Sequence, residues 1–361
     1  MTEPDDVLAA LHARHHLRVA THALPTSTAA PPCAGRFEGM LLGLAVGDAL
    51  GNTSESLNPP ERAARFGLVT DYLPHRFAGN RRVGLPSDDT QLCARSIEAL
   101  LDTDGRFDAD VFVKRYRSRT IFGIGQAMHG FIVAGDDGVD DPWALGQESA
   151  GNGALMRIAA MLTAHRAGGD TRLARDALLS GALTHNDLAS NACCVAFALM
   201  LRELTTFTAP PTASWWMKRF IELARPLEGT SRYDSRTTTP WSKPLWQFVE
   251  ENVTARLDDG ASARTACDSW WSGAYLLETM PSVLFILARH AHEPEEALIR
   301  AVNDTRDNDT VAAIVGAAVG ALHGPQAVAR WRPALLGRTA EADDGHYFNL
   351  IDRARLLGGW P

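Results

Sequence analysis

The hydrophobic pattern is helical along most of the chain. Residues 36–50 (RFEGMLLGLAVGDAL) are apolar on every side and interrupted mainly by small residues, which predicts a buried helix. Gly39, Gly43 and Gly47 recur at every fourth position, so one stripe of that helix is bare of side chains and permits close contact with another helix. Apolar residues at helical spacing also mark residues 91–101, 107–118, 188–204 and 273–289, and a Val, Ala, Ile and Gly run fills 311–322. Residues 56–86 read instead as an irregular loop, punctuated by Pro59, Pro60, Pro74 and Pro86. Residues 206–272 read as a less regular excursion whose tryptophans serve core packing. Strand-type runs are scarce, there is no internal repeat, and residues 325–361 carry no usable motif; the prediction is an all-α protein.

Residues 1–34 form an arm by this reading, and residues 35–361 a single domain. Val7, Leu8, Leu11 and Val19 could line one side of a short helix, but the Pro, Ser, Thr and Ala linker at 24–34 cannot continue it. A partly disordered tail is expected, with a partner-binding element as the alternative.

Charge and cysteine usage narrow the classes. The formal charge of −8 gives no support to nucleic-acid or membrane-surface binding, although a local basic groove is compatible with it. No apolar run reaches the roughly 18 residues of a membrane span. The five cysteines form no Cys-x-x-Cys pair, and the N-terminus lacks an apolar signal core, so a reduced, cytoplasmic protein is expected.

Against this apolar background several polar clusters stand out. Asp307-Asn308-Asp309-Thr310 lies directly before the 311–322 run, and Ser87-Asp88-Asp89-Thr90 lies before the helical pattern at 91–101. Either alone is explained by helix capping, with Asp309, Ser87 or Asp88 as N-cap. Together they offer four carboxylates and two hydroxyls without His or Cys, a donor set that selects Mg²⁺, Mn²⁺ or Ca²⁺ over zinc. If the two clusters converge, they could hold a pair of divalent ions about 3.5–4 Å apart. Asp48 is anomalous, because a carboxylate in the last turn of a buried helix is unfavourable unless it is hydrogen-bonded or faces a cation. Gly151-Asn152-Gly153 is a turn whose backbone N–H groups could meet a phosphate.

The ordered set Gly47-Asp48-Ala49-Leu50-Gly51 with Glu55, Ser87-Asp88-Asp89-Thr90, Gly151-Asn152-Gly153 with Met156-Arg157, Thr184-His185, and Asp307-Asn308-Asp309-Thr310 resembles the ADP-ribosylglycohydrolases. The resemblance runs from about Arg36 to Gly324. It implies a compact all-helical fold with a binuclear Mg²⁺ centre, Mn²⁺ being a possible substitute, in a central cleft. By position it implies Ser87, Asp88, Asp89, Asp307, Asp309 and Thr310 as metal ligands, with Glu55, Asp89 and Asp309 in catalysis. Gly151, Asn152 and Gly153 match the loop that holds the ADP-ribose phosphates. Gly123, Gly125 and His185 match segments lining the nucleotide pocket, and Tyr275 the ribose side.

The implied activity is hydrolysis of ADP-ribose from a modified protein side chain, arginine foremost, reversing an ADP-ribosyltransferase. Alternatives are O-linked ADP-ribosyl-serine or ADP-ribosylated nucleic acid, and an immunity protein that neutralises a transferase by erasure or by plugging it with the arm. Thr305-Arg306 stands where many relatives have Gly-Gly, and Asn308 where Thr is common. The guanidinium of Arg306 could repel an arginine leaving group or pair with a phosphate.

Overall fold

The computed structural model describes residues 4–13, 17–21, 24–28, 30–237, 240–339 and 344–361. The first half contains helices α1 (Pro4–Ala13), α2 (Arg36–Gly51), α3 (Pro59–Phe66), α4 (Asp88–Asp102), α5 (Ala109–Tyr116), α6 (Gln126–Asp136) and α7 (Arg172–Ala182). The second half contains α8 (Leu188–Leu204), α9 (Ala213–Glu228), α10 (Leu245–Phe248), α11 (Thr254–Asp258), α12 (Ala263–Ser269), α13 (Leu276–His290), α14 (Pro294–Asp304), α15 (Asn308–His323) and α16 (His346–Gly358). Among the described residues, strand structure is limited to two-residue hairpins, Pro74–His75 with Arg81–Arg82 and Tyr233–Asp234 with Ser242–Lys243. The protein is all-α, as its pattern predicts.

One helix pair lies at the centre. Every residue of α2 from Gly39 to Gly51, and of α15 from Asn308 to Leu322, is buried. The bare glycine stripe of α2 meets α15 backbone to backbone: a Cβ added at Gly43 would fall 2.0 Å from the Gly316 carbonyl oxygen, and one at Gly316 would fall 2.1 Å from that of Gly43. The same contact recurs between Gly39 and Gly320, and between Gly47 and the Ala312 carbonyl. At the end of the stripe, a Cβ on Gly51 would lie 2.4 Å from Asp309 Cα. The helices are therefore antiparallel, and the C-terminal end of α2, with Asp48, is held against the N-terminal end of α15, with Asp309.

Two segments are more regular than their sequences suggest. Residues 206–272 contain α9 to α12, joined in part by a π turn at Val249–Val253. In α9 the buried Trp216, Met217, Phe220, Leu223, Ala224 and Leu227 keep helical spacing, but Pro226 inside the helix and the Pro and Thr residues before it mask the signal. Within 56–86, Pro59 and Pro60 occupy the first helical positions of α3, where a missing N–H is no loss. Asn58 and Glu61 close a capping box on that helix.

The described parts of the arm lie along the helical body. Ala20 N donates to Leu227 O at 2.7 Å, Cys33 N to Thr205 O at 2.8 Å, and Arg202 Nη2 to Ala30 O at 2.9 Å. Leu11 is buried, while Leu8 and Val19 are partly buried against the core. The side chain of Val7 lies outside the described residues. No helix among the described residues is long and apolar enough to cross a membrane.

Because the α2–α15 contact leaves no room for even a methyl group, Gly43→Val should lower stability by roughly 3 kcal/mol or more. Thermal unfolding followed by circular dichroism checks this, and a melting temperature equal to that of the unaltered chain would contradict the packing described.

Candidate active site

The unfavourable position of Asp48 is resolved by α4. Ser87 occupies the N-cap position of α4 but makes no cap bond with its own side chain. Asp48 performs that role from α2, accepting from Ser87 N at 3.0 and 2.9 Å, Ser87 Oγ at 2.7 Å, Thr90 N at 3.1 Å and Thr90 Oγ1 at 2.5 Å. One buried carboxylate thus satisfies orphan donors at a helix start and fixes the direction in which Asp89 emerges. At α15 the N-cap position is Asp307, also without a side-chain cap bond, so Asp309 lies within the first turn and is not the cap.

The two clusters converge. Thr310 Oγ1 lies 3.5 Å from Asp89 Oδ2, and Ser87 Oγ lies at the same distance from that oxygen. Carboxylate oxygens of Asp48, Asp89 and Asp309 all lie within 4.8 Å of one another, and so do those of Glu55, Asp307 and Asp309. Asp309 belongs to both groups, which form two adjacent acidic sites sharing one residue. Asp88 stands apart from these groups and faces Gly123, where an added Cβ would fall 2.9 Å from its Oδ1.

So many acids in one buried place shift one another's titration. Burial pushes Asp48 and Asp307 up, and raises Asp89 and Asp309 well above the usual carboxylate range, with repulsion from neighbouring acids adding to the last two. Asp88 is pushed up to about 8 by burial and then by Asp48 and Glu55. Glu55 opens onto the cleft, yet the protein around it, with Asp307 and Asp48, raises it to about 7. Asp89 Oδ1 is buried without a hydrogen-bond partner. An unsatisfied carboxylate oxygen among oxygen-only donors fits a hard divalent cation.

Supporting residues fix the acidic loops. Arg62, fully buried, donates from Nη1 to Val302 O at 2.8 Å and Thr305 O at 2.9 Å, from Nη2 to Leu57 O at 2.8 Å, and from Nε to Ser54 Oγ at 3.1 Å. It ties the turn carrying Glu55 to the end of α14. Asn308 Nδ2 donates to Gly51 O and Ser54 Oγ, both at 3.1 Å. Asn152 Nδ2 holds Asp307 Oδ2 at 2.5 Å.

A cavity of about 630 Å³ extends from the acids along Gly123, Gly125, the 148–153 loop, His185 and Tyr275. The loop is held between two segments: Asn152 N donates to Ala274 O at 3.0 Å, Leu276 N to Ala150 O at 2.9 Å, and Gln147 N to Thr184 O at 3.0 Å. Buried Arg157 bonds Gly153 O, Thr184 Oγ1 and Tyr116 OH. His185 lies beneath Gly153, where a Cβ would come within 2.9 Å of the ring. Burial, then Arg157, lowers its pKa to about 3, so the imidazole is neutral. Gly123, with φ +93°, adopts a backbone conformation that favours glycine.

Three residues of this neighbourhood are absent from the sequence-based site. Asp48 was visible as an anomaly, but not as the cap of α4. Arg62 left no signal. Arg236 also left none: it lines the cavity, lies over the Tyr275 ring at 5.1 Å and forms a two-bond ion pair with Glu278, each bond 2.7 Å.

The raised carboxylates set a pH dependence. Without a cation these acids hold more protons in the folded than in the unfolded chain between about pH 4 and pH 8, so the cluster's contribution to stability falls as pH rises through that window. Cation-free protein should lose stability between pH 5.5 and 8, and Mg²⁺ should raise the melting temperature more at pH 8. A Mg²⁺ effect that is equal at both values in differential scanning fluorimetry would contradict this.

Residues 30–358 match the family model of the ADP-ribosylglycohydrolases. The chain is 28% identical to the ADP-ribosyl-[dinitrogen reductase] glycohydrolase of Rhodospirillum rubrum over 310 residues, covering 81% of this chain and 87% of that one. It is 27% identical to the ADP-ribosylarginine hydrolase Tri1 of Pseudomonas putida (strain GB-1), covering 80% and 71%. A solved ADP-ribosylglycohydrolase-related protein complex superposes with a TM-score of 0.63 at 25% identity, covering 90% of this chain and 97% of that one. The buried acids beside an elongated cavity are thus set in a fold shared with glycohydrolases, and the chain belongs to the ADP-ribosylglycohydrolase family.

Proposed function

We propose that this enzyme is metal-dependent and cleaves the N-glycosidic bond between ADP-ribose and a modified arginine side chain. The observation that carries the reading is the junction at Glu55, where two acidic groups sharing Asp309 meet a cavity of about 630 Å³, roomy enough for a dinucleotide-sized ligand. The names of two relatives, a dinitrogen reductase glycohydrolase and an ADP-ribosylarginine hydrolase, point to protein-linked ADP-ribose and to arginine.

In this reading Asp48, Asp89 and Asp309 hold one cation, and Glu55, Asp307 and Asp309 a second, with Ser87, Asp88 and Thr310 completing the surroundings. Two bound Mg²⁺ or Mn²⁺ ions would supply charge stabilisation and orientation for the ribose hydroxyls and a water. The Gly151–Gly153 turn lines the part of the cavity assigned to the phosphates together with Gly123 and Gly125; Asn152 N is committed to Ala274 O and Gly151 N to Ser149 Oγ, which leaves the Gly153 N–H as the backbone donor of the turn. Neutral His185 and Tyr275 form the remaining floor of that cavity. Glu55, raised to about 7 and lining the cavity beside the acids, is suited to move a proton between water and leaving group.

One observation favours a second linkage, O-linked ADP-ribosyl-serine. Arg306 stacks over exposed Trp271, 3.7 Å from the ring centroid, and borders the same small depression as Glu55. A fixed guanidinium there opposes a second, cationic guanidinium as leaving group. An immunity role through the arm has weaker support, because the described arm residues are bonded to the protein's own helices.

Release of free ADP-ribose from ADP-ribosylated arginine, serine and nucleic acid, assayed with Mg²⁺, tests the reading. Release from arginine is expected, release from serine alone would transfer the assignment to the second linkage, and no release from any of the three would sink it. Asp309→Asn should reduce turnover about 100-fold or more, and weaken Mg²⁺ binding measured by calorimetry.

A further inference from the structure

A second cavity, of about 760 Å³, opens on the other side of Glu55. Glu55 and Gly123 line both cavities, so the two adjoin there. The walls of the second one differ sharply from the first. Arg65, Arg76 and Arg338 face it together with His75, and among the described residues Glu55 is the only acid lining it. This is a cationic recess in a chain whose formal charge is −8.

Two of its cations, Arg65 and Arg76, are not committed to ion pairs among the described residues, whereas Arg338 already donates from Nη2 to Pro86 O. Among the described residues, neither Arg65 nor Arg76 has a carboxylate within 4.0 Å, whereas most arginines near acids elsewhere do, such as Arg236 with Glu278 and Arg219 with Glu203. Instead each guanidinium rests on a ring: Arg65 over Phe66 at 5.0 Å, Arg76 over Phe77 at 4.5 Å, and Arg338 over Phe122 at 4.6 Å. At Arg65 and Arg76, stacking orients the cation while leaving its N–H edge able to fork onto a carboxylate. Phe77 is 64% exposed and presents an apolar face beside these cations. The positive field also registers on His75, whose pKa is lowered by burial and then by Arg338 and Arg76.

We propose that this recess is an acceptor subsite that takes an acidic segment of the ADP-ribosylated protein, next to the modified side chain. The proposal rests on the reading of the chain as a protein-directed glycohydrolase. The first cavity holds the nucleotide, Glu55 marks the scissile bond, and the second cavity receives what lies beyond it. Carboxylates of the target pair with Arg65 and Arg76, and an apolar target side chain covers Phe77. A nucleic acid is the poorer fit, since a chain of net charge −8 repels the approach of a long polyanion while a few carboxylates reach a local cationic recess.

Three ADP-ribosyl-arginine peptides, with Glu, Ser or Lys on both sides of the modified residue, test this in the presence of Mg²⁺. The Glu-flanked peptide should show a kcat/KM about tenfold above the Ser-flanked one at low salt, with the advantage fading at high ionic strength. Arg65→Glu combined with Arg76→Glu should reduce that ratio to about one or invert it, with circular dichroism confirming the fold. Equal kcat/KM for all three peptides, or a Glu preference that survives the double substitution, would overturn the proposal. Fluorescence polarisation with the unmodified Glu-rich peptide gives a readout independent of hydrolysis. Binding to the unaltered chain but not to the double variant supports the subsite even if arginine is the wrong linkage. No binding to the unaltered chain overturns it, and a single-stranded oligonucleotide that displaces the peptide and binds more tightly would replace the acidic segment with nucleic acid.

Discussion

The contact of α2 with α15 through bare backbone is the constraint on which the rest of the molecule depends. Most helix pairs are separated by interdigitating side chains, and their spacing adjusts when one is changed. Here the carbonyl of Gly316 occupies the space where a Cβ of Gly43 would stand, and the relation is mutual. The distance between Asp48 and Asp309 is set by main-chain contact, so the acids at that end converge because the glycines above them allow no separation.

Electrostatics make this arrangement expensive. Burial and mutual repulsion both oppose charging these carboxylates, and together they push Asp89 and Asp309 well above the usual carboxylate range. Hydrogen bonds offset part of that cost. Asp48 is the best-served member, because the first turn of α4 directs its N–H groups and hydroxyls at it. Asp307 has Asn152, held in turn by Thr279. Asp89 retains an oxygen with no partner at all. Compensation is graded across the cluster, most complete at Asp48 and least complete at Asp89.

The helical sequence pattern was legible wherever burial was complete. The helices at 36–51 and 188–204 follow their apolar runs almost to the residue, since a helix enclosed on all sides needs an unbroken run. Legibility failed where proline carries two meanings: Pro59 and Pro60 begin a helix and Pro226 sits inside one, yet each reads as a break. The pairing of the two acidic clusters could be suspected from composition. That Asp48 caps a helix 39 residues away could not, because a cap donated from another element leaves no local spacing to read. Arg62 was invisible for the same reason, with partners around residues 54–57 and 302–305 that only the fold brings together.

The rigid spacing between α2 and α15 also bears on ion size. A calcium ion needs six to eight oxygens at about 2.3–2.6 Å and takes them from flexible loops, whereas magnesium demands a small octahedron at about 2.0–2.1 Å. Acids mounted on two helices whose main chains already touch cannot draw apart to lengthen those bonds. An ion held between Asp48 and Asp309 would have to fit that fixed gap by its radius.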